Sequence, residues 1–315
     1  MKQSTEVFAS EIGKIGIFLG GRSQERAVSL RSGNAIYRAL ANAGFHVSKI
    51  DTSNGFLKTL KSKDIDFGFP ALHGTGGEDG ALQRILDRHR IPYVGSGVRA
   101  SWNAFNKWNA KKRFVRLGIP TPEFRLVTRR NFKRLLQTCP PPYVLKPLTQ
   151  GSSIDVVMIH TAREGQAHLR KLLHKYSKVL MEQKIVGREL TVAILGKRAL
   201  PVIEIKSKRQ FYDYRAKYEK GFTDYLVPAP LPPALTKQVK WIALRVHRCL
   251  GLRDFSRVDM IVDPSGRPYV LEVNSIPGFT ETSLLPKAAD SAGLNFTDLC
   301  VYLLKTAYER TQKKF

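Results

Sequence analysis

The chain has 315 residues, 43% hydrophobic and 10% aromatic, with a formal charge of +26 and three cysteines. It is long enough for two or three cores and has no apolar run near the ~20 residues that span a bilayer. Cys139, Cys249 and Cys300 are too few and too scattered for a disulfide framework or a zinc site.

The first dozen residues lack the apolar stretch of a secretory signal, so the cytoplasm is expected and no membrane partner is. Residues 14–20 (KIGIFLG) form an apolar run ending in Gly-Gly and read as a buried strand. Ala27–Gly44 follows with helical spacing, Phe45–Ile50 and Ile65–Pro70 read as further strands, Leu82–His89 as a helix and Pro92–Gly95 as a fourth strand. Strand and helix in alternation predict a parallel α/β sheet over the first hundred residues.

After Ser101 the texture changes to a basic helix, the run PTPEFRLV, another helix and PYVLKP. Strand-like runs then stand at Val156–Ile159, Val179–Gln183 and Leu190–Leu195, which predicts a small α+β unit. From about Gly187 come β-runs, a loop, a helix near Thr236–Leu250, a hairpin from Arg257 to Asn274 and a last helix, Asn295–Arg310. The expected division is 1–105, 106–186 and 187–315. The positive charge is densest over 101–186, where 17 Lys/Arg stand against 4 Asp/Glu. With no zinc-finger or RNP motif beside it, that charge reads as solvated faces, and no specific nucleic-acid partner is expected.

The hairpin, RVDMIVDPSGRPYVLEVN, carries polar residues two apart on each arm. Residues i and i+2 share a strand face, so Arg257 and Asp259 point together, as do Glu272 and Asn274. A turn centred between Ser265 and Gly266 sets Asp259 opposite Glu272 and Arg257 opposite Asn274. It leaves Val258, Met260 and Val262 to meet Tyr269, Leu271 and Val273 on the buried face. Two carboxylates directly opposed on one face should repel. A charged, solvated face is one reading. The other is a hard divalent cation such as Mg²⁺, which takes carboxylate and amide oxygens and keeps positions open for phosphate.

No Walker A sequence and no G-x-G-x-x-G after a strand is present, which excludes the familiar P-loop and dinucleotide signatures. Lys146 instead ends the strand-like YVLK and precedes QGSS (150–153), a place where an ammonium and backbone N–H groups can hold phosphate. Lys107 opens the basic unit. FYDYRAKY (211–218) surrounds Lys217 with aromatics in a loop of the kind that closes over a reacting centre. GGRSQER (20–26) and HGTGGEDG (73–80) are glycine-rich loops leading into helices.

Taken in order, GGRSQERAVSLRSG, LHGTGGEDG, VGSG, VLKP with GSS, GRELTVAILG, FYDYRAKY and SRVDM with LEVNSIPGFT and SLLP resemble the ATP-grasp ligases, and among them the D-alanine–D-alanine ligase family. The resemblance covers residues 14–310. It implies a three-domain ATP-grasp fold, with ATP as co-substrate between the central and C-terminal units and D-alanine as substrate. It implies Mg²⁺ ligands, two ions per site with Mn²⁺ as a substitute, at Asp259, Glu272 and Asn274. Lys107 and Lys146 match lysines on the α- and β-phosphates, Lys217 the one on the transferred phosphoryl group, and Glu182 and Glu189 residues that hold the adenosine. Glu25 matches the carboxylate that takes the first D-alanine's ammonium, linked through Ser152 to Tyr218. His73 lies near that substrate, Arg257 and Gly278 near the oxyanion, and Ser283 and Leu284 near the second carboxylate. The family also implies peptidoglycan-precursor synthesis and a homodimer.

Four positions depart from the family pattern: Lys184 for an aromatic beside adenine, Asp155 for a glycine after GSS, Asn106 for an aspartate before Lys107, and Arg215 for an acidic residue in the aromatic loop. A ligase for D-alanine with D-serine or D-lactate, and a weakly active regulatory paralogue, stay open as alternatives.

Overall fold

The computed structural model describes residues 2–53, 55–62, 64–208 and 221–312. The uninterrupted apolar run Ile15–Leu19 forms β1, whose five residues are all buried. It is the middle strand of a parallel sheet, between β2 (Val47–Asp51) and β3 (Phe67–Pro70). A strand covered on both faces has no use for polar alternation, and this one shows none. Helix Arg26–Asn42 lays Val28, Ile36, Ala39 and Leu40 into the core, as its spacing predicts.

The expected fourth strand, Pro92–Gly95, is reduced to one parallel bridge between Gly68 and Tyr93. The bridge carries two bonds, Gly68 N–H to the Pro92 carbonyl at 2.8 Å and Val94 N–H to the Gly68 carbonyl at 2.9 Å, and Pro70 has no N–H to extend it. On the outward side Gly95 N–H donates to Asp254 at 2.7 Å, and the Tyr93 carbonyl accepts from Arg310 at 3.0 Å. Helices Lys2–Ile12 and Phe56–Ser62 are additions to the sequence reading. In the first, Phe8 packs edge-on against Tyr308 of helix Phe296–Gln312, 5.5 Å between ring centres, a contact no local pattern announces.

The second sheet is antiparallel, in the order β4 (Phe124–Thr128), β7 (Lys178–Gln183), β5 (Tyr143–Pro147), β6 (Val157–Ile159). Helices Phe132–Thr138 and Ala162–Lys175 cover one face, where Val127, Leu145, Leu169, Val179 and Met181 form the core. Strand alternation turns Val144, Lys146 and Glu182 to the opposite face.

The third sheet is antiparallel in the order β11 (Thr223–Leu226), β10 (Ile203–Ser207), β8 (Arg188–Leu195), β12 (Phe255–Val262), β13 (Pro268–Asn274), with β9 (Arg198–Ala199) paired to β8. Helix Pro233–Cys249 buries Val239, Ile242 and Val246 against Val192, Val258 and Met260. Ala193, Ile203, Ile205 and Phe255 join the core of the parallel sheet and helix Phe296–Gln312.

In the hairpin of β12 and β13, Arg257 pairs with Asn274, Val258 with Val273 and Asp259 with Glu272, as expected. Beyond Asp259 the register shifts: Met260 opposes Val270, Ile261 opposes Tyr269 and Val262 opposes Pro268. Leu271 is the extra residue of a β-bulge, so the expected contact of Met260 with Leu271 is not made. The cause lies outside the hairpin. Val270 N–H donates to the Pro120 carbonyl at 2.8 Å, and the Val270 carbonyl accepts from Thr121 Oγ1 at 2.7 Å. The open edge of β13 is therefore occupied by the chain at 120–121, and the bulge turns Leu271 into a cavity beside Glu272.

Candidate active site

Glu25 stands at the start of helix Arg26–Asn42 and is 6% exposed. Its carboxylate accepts from the Ser152 hydroxyl. Two glycines let backbone come this close: a Cβ on Gly151 would lie 2.5 Å from Glu25 Oε2, and one on Gly74 2.7 Å away. Glu25, His73, Glu78, Ser152, Arg257 and Gly278 line one cavity of about 210 Å³, together with Ser283 and Leu284.

His73 is buried, with Nδ1 3.1 Å from the Ile276 carbonyl and Nε2 3.0 Å from Ser32 Oγ. A carbonyl can only accept, so Nδ1 carries the proton and Nε2 accepts from Ser32. Ser32 Oγ in turn accepts from Phe279 N–H at 3.2 Å. Burial lowers the imidazole's pKa against the opposing pull of Glu25, which keeps the ring neutral.

Glu78 belongs to this group and escaped the sequence reading, although HGTGGEDG contains it. Burial, reinforced by the neighbouring Glu25 carboxylate, pushes its pKa up to about 8 while Gly74 N–H donates to it at 2.9 Å. It enters neutral solution largely protonated, a buried acid facing a buried carboxylate.

A second cavity, about 310 Å³, lies between the second and third sheets. Lys107, Lys146, Glu182, Glu189, Asp259 and Glu272 line it among Val144, Met158, Ile185, Leu190, Met260 and Leu271. Glu182, 1% exposed as a side chain, holds Lys146 at 2.5 Å and Lys111 at 2.5 Å. Burial alone would raise its pKa, but the two ammonium groups outweigh that and hold it low. Lys107 donates to the Gln150 carbonyl at 2.7 Å and sits 3.2 Å from Glu272. Glu272 lines both cavities, so they meet at the hairpin.

Lys111 is the second residue that sequence reasoning missed. Its side chain is 1% exposed and donates to Thr121 Oγ1 at 2.6 Å. Burial lowers its pKa to about 8, against the attraction of Glu182. A signal existed: Lys107 and Lys111 are four apart on helix Lys107–Arg116, on the face that buries Ala110 and Phe114.

On the hairpin, Asp259 accepts from Thr191 Oγ1 at 2.6 Å, from Asn274 Nδ2 at 3.1 Å and from Arg257 in a two-pronged pair at 2.9 and 2.7 Å. Among the described residues no three His, Cys, Asp or Glu cluster as a metal cage. Two carboxylates and an amide on one face do fit a hard cation that retains water or phosphate ligands, because every donor they offer such an ion is oxygen.

Lys217, Tyr218 and Arg215 lie outside the described residues. Lys184 lines the second cavity, beside Ile185 and Val186. Asn106 caps helix Lys107–Arg116, accepting from Asn109 N–H at 3.1 Å, which is the work an aspartate would do there. Asp155 is bound to Lys175 and Tyr176.

The family model for the D-ala D-ala ligase C-terminus matches residues 114–305, and that for the D-ala D-ala ligase N-terminus matches 53–96. A D-alanine–D-alanine ligase of Carboxydothermus hydrogenoformans is 42% identical over 311 residues, covering 95% of this chain and all of that protein. One from Pelotomaculum thermopropionicum is 43% identical over 94% of this chain and 97% of its own length. The crystal structure of the Bacillus anthracis D-alanine–D-alanine ligase superposes with a TM-score of 0.86 at 35% identity, over 96% of this chain and all of that one. The same enzyme complexed with ATP gives 0.85 at 33%. The VanG D-Ala:D-Ser ligase of Enterococcus faecalis gives 0.81 at 28%, over 94% of this chain and 99% of that one. With its parallel N-terminal sheet and two antiparallel sheets, this chain belongs to the D-alanine–D-alanine ligase family of the ATP-grasp superfamily.

Proposed function

We propose that this chain joins two D-alanines with ATP, through a D-alanyl phosphate, as a D-alanine–D-alanine ligase serving peptidoglycan-precursor synthesis. The observation that supports the reading is the meeting of two cavities at Glu272, one of about 210 Å³ with Glu25 and Arg257 on its wall and the other of about 310 Å³ lined by Lys107 and Lys146.

The first D-alanine sets its ammonium against Glu25, whose carboxylate Ser152 holds ready. Its carboxylate then faces the hairpin and attacks the γ-phosphate of ATP, breaking the bond to ADP. The second D-alanine's amine displaces phosphate from the acyl carbon and loses its proton. Lys107 and Lys146 hold the α- and β-phosphates, Glu182 and Glu189 the adenosine, and Lys217 of the aromatic loop the transferred group. Arg257 and the Gly278 N–H stabilise the oxyanion, and Ser283 with Leu284 holds the second carboxylate. Mg²⁺, or Mn²⁺, held by Asp259, Glu272 and Asn274, would neutralise the phosphates. Positioning and charge complementarity supply most of the rate, as phosphoryl transfer demands.

The division 1–105, 106–186 and 187–315 assigns the amino-acid side to the first unit and ATP to the other two. A cytoplasmic homodimer with no specific nucleic-acid or membrane partner fits the reading; among the described residues no helix is long and apolar enough to cross a membrane. The acyl-phosphate route is tested with D-alanine labelled by ¹⁸O in its carboxylate. One labelled oxygen should appear in each released phosphate from the activated molecule. Unlabelled phosphate with normal dipeptide yield would rule that route out.

A further inference from the structure

The serine loop, Gly151–Val156, carries Ser152 into the amino-acid cavity and Ser153 into the nucleotide cavity. Three of its residues, Ser152, Ser153 and Asp155, have left-handed φ angles of +50°, +58° and +55°. Such angles are unfavourable for residues with a Cβ and persist only where the surroundings hold them. Within the loop, Ile154 N–H donates to the Gly151 carbonyl at 3.0 Å and Val156 N–H to the Ser153 carbonyl at 3.2 Å.

One outside anchor is the Ser152 contact with Glu25. A second is Asp155, on the other side of the loop, whose Oδ2 accepts from Lys175 Nζ at 2.6 Å and from Tyr176 Oη at 2.5 Å. Those partners end helix Ala162–Lys175, which starts with a full capping box of Thr161 and Glu164 and is pinned to the sheet by Leu169, Leu172 and Leu173. The helix is thus a rigid post, and the loop is tied to it at its C-terminal side.

We propose that Asp155 is a positioning residue: its carboxylate latches the strained serine loop to the end of this helix, so that the loop is held over the nucleotide cavity before ATP arrives. The proposal rests on the nucleotide reading of that cavity. A glycine at this position would adopt the same φ at no steric cost but would lack the tie to Lys175 and Tyr176. An aspartate accepts the strained angle and adds the tie. Pre-ordering the loop removes its ordering entropy from ATP binding, which acts on affinity and leaves chemistry alone.

The tests are Asp155→Asn, which weakens the tie, Tyr176→Phe, which removes one donor, and Asp155→Gly, which relieves the backbone strain while cutting the latch. Each should raise KM for ATP about fivefold or more, with kcat within twofold and the melting temperature little changed. The combination Asp155→Asn with Tyr176→Phe should add little to either alone. Hydrogen exchange of the Ile154 and Val156 amides, measured without nucleotide, should accelerate in all three.

The glycine variant carries the decision. If the carboxylate merely tolerates its place, relief of strain leaves KM unchanged or lower and exchange at Val156 unchanged, and the latch is wrong. Slower exchange would overturn it equally. Accelerated exchange in a protein whose wild type binds no ATP would keep the latch and overturn the nucleotide reading instead.

Discussion

The hydroxyl of Ser152 donates to the carboxylate of Glu25, 127 residues earlier in the chain. This single contact joins the glycine-rich turn before the first long helix to the loop that reaches the nucleotide cavity. On the proposed function, it makes the amino-acid site depend on the loop that also faces ATP. Ser152→Ala leaves a buried carboxylate short of a donor, so KM for the first D-alanine should rise about tenfold or more. Gly151→Ala, whose methyl would meet Glu25 Oε2, should lower kcat/KM at least as much. Initial rates against D-alanine at saturating ATP decide both.

Lys111 neutralises Glu182 from the side away from the cavity. Lys111→Met would leave Glu182 buried with one cation, and removing one member of a buried pair costs about 3 kcal/mol or more. A urea unfolding curve should show that loss, and KM for ATP should rise with it. Wild-type stability in the variant would mean that Lys146 alone neutralises Glu182.

Glu78 ties stability to pH. In the native state its carboxyl keeps a proton to about 8, whereas in the unfolded chain it releases it near the ordinary 4.5. The native state therefore binds more protons between those values, and stability falls as pH rises through that window. Glu78→Gln keeps an acceptor for Gly74 N–H and removes the titration. Its melting temperature relative to wild type should climb from pH 5 to pH 8. A constant difference would show that Glu78 is ionised in the native protein.

Lys184 lines the cavity proposed for the nucleotide, at the position where the family resemblance implies an aromatic ring. Lys184→Trp restores a stacking surface and should tighten ATP about threefold or more, the scale of one ring contact. Unchanged affinity, measured by calorimetry, would show that the base does not lie against this side chain.

The hairpin shows what can be read from residue order alone. Period two is enough to put Arg257, Asp259, Glu272 and Asn274 on one face and to oppose Asp259 with Glu272, and the fold bears this out. The bulge at Leu271 is not legible, because Pro120 and Thr121, far away in sequence, cause it. Lys111 and Glu78 were hidden for a related reason. A lysine in NKWNAKKRF looks like one more solvated charge until Glu182 and Thr121 close over it. An acid in a glycine loop declares its burial only when Glu25 and His73 are brought beside it. Strand Pro92–Gly95 is cut to one bridge because Pro70, the next residue of β3 that faces it, has no N–H to continue the ladder.

The measurement that bears most directly on the central claim offers ATP and Mg²⁺ with D-alanine alone, and then D-alanine with D-serine or D-lactate. It reads phosphate release and the mass of the product. The account predicts one phosphate per D-alanyl-D-alanine with D-alanine alone, no mixed product in excess of the homodipeptide, and no release when the metal is chelated. Phosphate release only in the presence of D-serine or D-lactate, or none with any acceptor, would contradict it.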